Sequence, residues 1–270
     1  MPGCGRRVIL VAMNSSIKTG LAKYRLLVLA VSLLWSTVAL SANELAWRLV
    51  RAYPERLRTF EDGQIVWWDG HRMSYDDGVV IADYEDRLNR ASLADQMSQV
   101  YPESDSYLPL AENFDPGRLR HEAFFRRMYG GTRQTVEAQL VTIDWFGRPL
   151  QVSSVNRIDQ RLARVAAELA AFRLPDWRAI YEPSLGTYSW RFIAGTQRLS
   201  MHSFGAAIDL NTSDYWRSRG GPLPYRNTVP LEIVRVFEKY GFIWGGKWYH
   251  YDTMHFEYRP ELINRPIVEP

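Results

Sequence analysis

The stretch S-M-H-S-F-G-A-A-I-D at residues 200–209, read with D-T-M-H-F-E at 252–257, decides how this chain folds. Together the two supply His202, Asp209 and His255, two imidazoles and one carboxylate. That donor set suits one zinc ion and leaves a tetrahedral position open, as hydrolytic sites require and structural sites do not. Asp252 lies three residues before His255, where a carboxylate is placed to handle the proton of an attacking water.

The spacing constrains the backbone. His202 and Asp209 are seven residues apart. In a regular strand an odd separation sends side chains to opposite faces. In a helix seven residues share a face but lie about 10 Å apart along the axis. Ligands about 2.0–2.2 Å from one metal must sit much closer than that. The segment therefore has to bend, and Gly205, followed by Ala206 and Ala207, provides the place. His202 is expected on a loop or strand edge, Asp209 on a strand, and His255 on a neighbouring strand. Gly245-Gly246, ahead of K-W-Y-H-Y, marks the turn that delivers it.

Further out, Leu162, Val165, Ala166 and Leu169 recur at helical spacing and predict a helix over 159–172. A second helix is predicted over 230–240, with a proline in its first turn and Gly241 past its end. Residues 43–58 read as helical. Hairpins are expected over 64–75, turning at Asp69-Gly70, and over 138–153, turning around Phe146-Gly147. This order has no regular β-α-β alternation, which argues for an α+β fold rather than a doubly wound sheet.

Lys23 and Arg25 precede an almost wholly apolar run from Leu26 to Ala42. The run is 17 residues long and closes on small residues, as a cleavable signal peptide does. An uncleaved membrane anchor is the alternative, although a spanning helix wants about 20 apolar residues. Export to the periplasm or cell envelope is expected either way. Residues 43–135 read as an N-terminal extension or subdomain, and 136–270 as the domain that carries the metal motifs.

The formal charge is +3, but residues 1–42 hold five basic residues and no acid, so the remainder carries −2. No basic stripe points to nucleic acid. Any membrane contact is expected only through the N-terminal segment, and a monomer is expected. Cys4 is the single cysteine and precedes the apolar run, so the rest of the chain forms no internal disulfide. With 46% hydrophobic residues, the chain has enough apolar material for a core without one.

Ser200, His202, Gly205, Ala207 and Asp209, followed by Asp252 and His255, resemble the zinc D,D-peptidase family M15. The family pattern is S-x-H-x-x-G-x-A-x-D, then an acid, two residues and H. The motif-bearing resemblance covers roughly residues 180–260, and a weaker likeness extends back through D-P-G-R at 115–118. It implies a small central antiparallel sheet flanked by helices, hedgehog- and D,D-peptidase-like, with one Zn2+ and peptidoglycan stem peptides as substrate. The activity it implies is that of a D-alanyl-D-alanine carboxypeptidase. An L-alanyl-D-glutamate endopeptidase is the alternative within the family. A non-catalytic, zinc-containing wall-binding module is the alternative of another class.

In this reading His202, Asp209 and His255 hold the metal and Asp252 is the general base. Arg191 is the first choice to stabilise the developing oxyanion and Arg198 the second. Ser200 and Arg198 are the candidate substrate contacts. Glu257 either orients a ligand imidazole or is an exposed strand residue. His250 is expected to line the cleft, and His71 and His121 to be structural or exposed.

Overall fold

The computed structural model describes residues 43–102, 111–173, 175–182, 184–212, 214–216 and 225–270. The segment read as a signal peptide, 1–42, lies outside the described residues. Among the described residues no helix is long and apolar enough to cross a membrane.

The chain opens with helix α1 over 43–52. The reading of 43–58 as one helix is corrected here. Proline at 54 cannot continue the ladder, and Leu57–Glu61 forms strand β1 instead. It turns at Asp62-Gly63, with both residues at positive φ, into β2 (Gln64–Trp67). Strand β2 pairs antiparallel with β3 (Arg72–Ser74) across the Asp69-Gly70 turn, as the pattern predicts. Four short helices follow: α2 (Tyr84–Arg90), α3 (Leu93–Met97), α4 (Glu122–Tyr129) and α5 (Arg133–Glu137). Strands β4 (Leu140–Trp145) and β5 (Arg148–Ser153) make the second expected hairpin, closing at Phe146-Gly147.

Helix α6 (Ile158–Leu169) buries Ile158, Leu162, Val165 and Leu169 on one side and packs on β4 and β5. After α7 (Pro175–Tyr181) comes the sheet that carries the motifs. Its strands are β6 (Ser184–Gly186), β7 (Ala207–Leu210), β8 (Phe242–Trp244) and β9 (His255–Tyr258). Their order is β6-β7-β9-β8 and every pairing is antiparallel. Helix α8 (Leu231–Lys239), with Pro230 at its N-cap, buries Ile233, Val234 and Phe237 and packs on α6 and β8. Phe237 stacks on Phe256 of β9 at 4.1 Å between ring centroids. The architecture is α+β with small antiparallel sheets.

Leu45–Pro270 form one compact unit. Its apolar core joins Tyr53, Phe124 and Phe125 from the first part of the chain to Phe237, Phe256 and Tyr258 from the last. One polar knot is embedded in it. Glu261, fully buried, accepts from Tyr53 Oη at 2.6 Å, Gln96 Nε2 at 3.2 Å and Arg259 Nε at 2.6 Å. These partners satisfy a carboxylate that burial alone would make costly.

Candidate metal centre

Two of the three predicted ligands are placed by strand register. Asp209 of β7 is the direct partner of His255 of β9, so their side chains leave the same face of the sheet. The third comes from a turn. Met201–Phe204 form one turn of 3-10 helix, capped by Ser200, whose Oγ accepts from His202 N at 3.3 Å. Gly205 then reverses the chain at φ +64°. A Cβ on Gly205 would meet Leu140 Cδ2 at 2.6 Å and Ser153 N at 2.9 Å. This is the bend that the seven-residue spacing demands, and it needs a residue without a side chain.

The three ligand atoms converge. His202 Nε2 lies 3.1 Å from Asp209 Oδ1 and 3.2 Å from His255 Nδ1, and His255 Nδ1 lies 3.0 Å from Asp209 Oδ1. The edges of a tetrahedral zinc site with such ligands are about 3.3–3.4 Å, so the triangle is nearly of the required size. The ring nitrogens that face away are already committed. His202 Nδ1 is 2.6 Å from Thr187 O, and His255 Nε2 is 2.9 Å from Glu257 Oε2. Both partners accept, so those nitrogens carry the protons and the inward ones present lone pairs. Two lone pairs and a carboxylate oxygen at this distance repel unless a cation or a proton lies among them. The donor set therefore fits a divalent ion.

Where no cation lies among the three, a proton does, and the inward nitrogens then donate to Asp209. Burial opposes charge on Asp209, yet the hydrogen bonds from His202 and His255 hold its carboxyl well below the usual range. Burial likewise opposes the His255 imidazolium, but Asp209 and Glu257 outweigh it and raise its pKa to about 10. Glu257 is buried, not an exposed strand residue, and it too is displaced. Burial favours its neutral form, but His255 and then Arg259 hold it at about 2.

A cleft of about 500 Å³ opens beside the triangle. Asp252, Arg191, Arg198, Ser200 and His250 all line it. Asp252 Oδ1 is buried without a hydrogen-bond partner, and burial raises the pKa of its carboxyl. Arg191 is placed by its own backbone. Its N–H donates to Ser203 Oγ at 2.9 Å and its carbonyl accepts from Ser200 N at 3.0 Å. The loop from Arg191 to Ser200 thus doubles back, and an exposed guanidinium emerges two hydrogen bonds from His202. Arg198 is buried, with Nη1 donating to Arg118 O at 2.9 Å. His71 is exposed, and His121, half-buried, bonds to Ala91 O at 2.8 Å, so both stand away from the cleft as expected.

Of three further residues, the sequence reading reached Asp115 and Arg118 only as part of the D-P-G-R likeness, with no role assigned, and it missed Arg120. Arg118 and Arg120 also line the cleft. Buried Asp115 receives His250 N at 2.8 Å, His250 Nδ1 at 2.7 Å and the Tyr84 hydroxyl, and so fixes the His250 ring. The available signal was D-P-G-R-L-R at 115–120, where an acid and two arginines cluster within one short turn.

No curated protein and no solved structure matches the chain. Residues 194–258 match the family model described as D-alanyl-D-alanine carboxypeptidase. The match takes in His202, Asp209, His255 and Asp252, so this segment is similar to M15 peptidases, as its two motifs indicate.

Proposed function

We propose that the chain is a zinc-dependent hydrolase of peptidoglycan stem peptides, acting as a D-alanyl-D-alanine carboxypeptidase in the cell envelope. The observation that carries this reading is the triangle of His202 Nε2, Asp209 Oδ1 and His255 Nδ1, with the unpartnered Asp252 Oδ1 in the same cleft. A divalent ion held by those three ligands supplies Lewis acidity at the scissile carbonyl.

The chain's own residues do the rest. Asp252 takes a proton from the attacking water and delivers it to the leaving amine. Its desolvated setting suits that task, because a carboxylate with a raised pKa is the stronger base. The Arg191 guanidinium has no hydrogen-bond or ion-pair partner among the described residues, and it is free to meet the charge that builds on the carbonyl oxygen. Ser200 holds the turn that carries His202 and offers its side of the cleft to the peptide.

Digestion of purified muropeptides, read by mass spectrometry with and without chelator, tests the proposal. Loss of one terminal alanine in the metal-loaded protein alone is the expected result, whereas release of a longer peptide would replace it with the endopeptidase activity. Asp252→Asn should keep its metal and lose activity by roughly 10²–10⁴-fold. Full turnover in that variant would remove Asp252 from the mechanism.

A further inference from the structure

Three guanidinium groups meet on the cleft, and among the described residues no carboxylate comes within hydrogen-bond reach of any of them. Arg198 is 5% exposed, its Nε is buried without a partner, and no carboxylate among the described residues lies within ion-pair distance. Arg120 is 4% exposed and donates through Nη2 to Leu199 O, and its Nε is likewise unpartnered. The carboxylate it approaches, Glu122 Oε2, is 3.8 Å away. The other oxygen of Glu122 is shared by Arg126 Nε and Leu199 N, each at 3.0 Å. Arg118 spends one nitrogen on His250 O at 3.3 Å and lies over the Trp248 ring at 5.8 Å.

Burying a charge without a counter-charge is costly, and an unmatched buried guanidinium is rarely kept for stability alone. The crowding is real: burial, then Arg120 and Arg118, push the pKa of Arg198 down to about 10. The cluster is also held rigidly. Gly117, at φ +110°, gives its carbonyl to Arg259 Nη1 at 2.6 Å, and a Cβ there would strike Ile243 Cδ1 at 2.5 Å. Arg259 in turn grips Glu257, the partner of His255. The loop carrying Arg118 and Arg120 is therefore tied to the strand that bears a metal ligand. Guanidinium forks held in this way match a carboxylate in charge and shape.

We propose that Arg198, Arg120 and Arg118 form a carboxylate-binding subsite that recognises an anionic peptide beside the metal centre, with two of the three residues supplied from outside the family-matched segment. The proposal rests on the peptidase reading for its substrate. The carboxylate has two sources in a stem peptide: the free C-terminus, or the α-carboxylate of an interior γ-linked glutamate.

Equilibrium binding to the zinc-loaded full chain carrying Asp252→Asn separates these without turnover. The probes are a stem pentapeptide, its C-terminal amide, and its isoglutamine form. One of the two amides should bind at least tenfold more weakly than the parent, and which one does identifies the carboxylate. Adding Arg198→Gln should erase that difference, and Arg198→Lys should restore part of it. Arg198→Gln should also leave the melting temperature unchanged or raise it, because it removes an uncompensated buried charge. Equal binding of all three probes, or a difference that survives Arg198→Gln, overturns the subsite. Discrimination without any cleavage by the unsubstituted chain would instead sink the peptidase reading and leave the subsite standing.

Discussion

Glu257 faces His255 with one oxygen and Arg259 with the other: Oε2 lies 2.9 Å from His255 Nε2, and Oε1 accepts from Arg259 Nη1 at 3.0 Å. A single buried carboxylate thus sets the tautomer of the His255 imidazole while a buried arginine holds the carboxylate itself. Partners of this kind are worth about 10–100-fold in metal affinity. Glu257→Gln should weaken zinc binding by that factor without removing a ligand. Competition against a chromophoric chelator measures it, and an affinity equal to that of the unsubstituted chain would contradict the role.

Gly205→Ala should damage both the fold and the site. The left-handed conformation costs a side-chain-bearing residue about 1–2 kcal/mol. The clash of the new Cβ with Leu140 Cδ2 and Ser153 N adds to that, for a total of about 2–4 kcal/mol. Urea unfolding measures the loss. Because the strain falls one residue from the turn that carries His202, zinc affinity should fall with stability. A variant of full stability would show that the bend has another source.

Asp115 gives the chain a pH-dependent reserve of stability. Burial opposes its charge, but hydrogen bonds from His250 and Tyr84 and the Arg118 charge lower its pKa below the ordinary value of 3.8. A carboxyl with a depressed folded-state pKa stabilises fully above its unfolded value, near pH 4, and stops doing so as pH falls through the folded value. Asp115→Asn should therefore cost about 3 kcal/mol at neutral pH. Thermal melts at pH 7 and pH 3 test this, since the gap between the two proteins should narrow at the lower pH. A constant gap would mean that Asp115 acts through packing alone.

The motif was legible because its chemistry leaves few options. Two imidazoles and a carboxylate at this spacing need a bend, and Gly205 was the residue able to make it. Both hairpins announced themselves through Asp69-Gly70 and Phe146-Gly147, and helices α6 and α8 through apolar periodicity. Strand β1 was hidden because Leu57–Glu61 has little alternation of its own and is held by its partner β2. Arg118, Arg120 and Asp115 were harder still. Nothing local distinguishes a cleft arginine from a surface one, and what makes these three matter is contact with residues far along the chain, such as Asp115 with His250. Glu257 was undecided for the same reason. Strand alternation gives a side, and only the position of Arg259 shows that this side is buried.

The polar knot at Glu261 limits how far the chain can be shortened. Two of its three hydrogen-bond donors, Tyr53 and Gln96, come from the opening stretch, Tyr53 from 208 residues away. Trimming that stretch would leave an acid sealed in oil with Arg259 as its sole companion, in the turn just past the strand that carries His255. Proteolytic clipping there should yield an unfolded remnant rather than a smaller working catalyst, and the length of this protein is for that reason part of its chemistry.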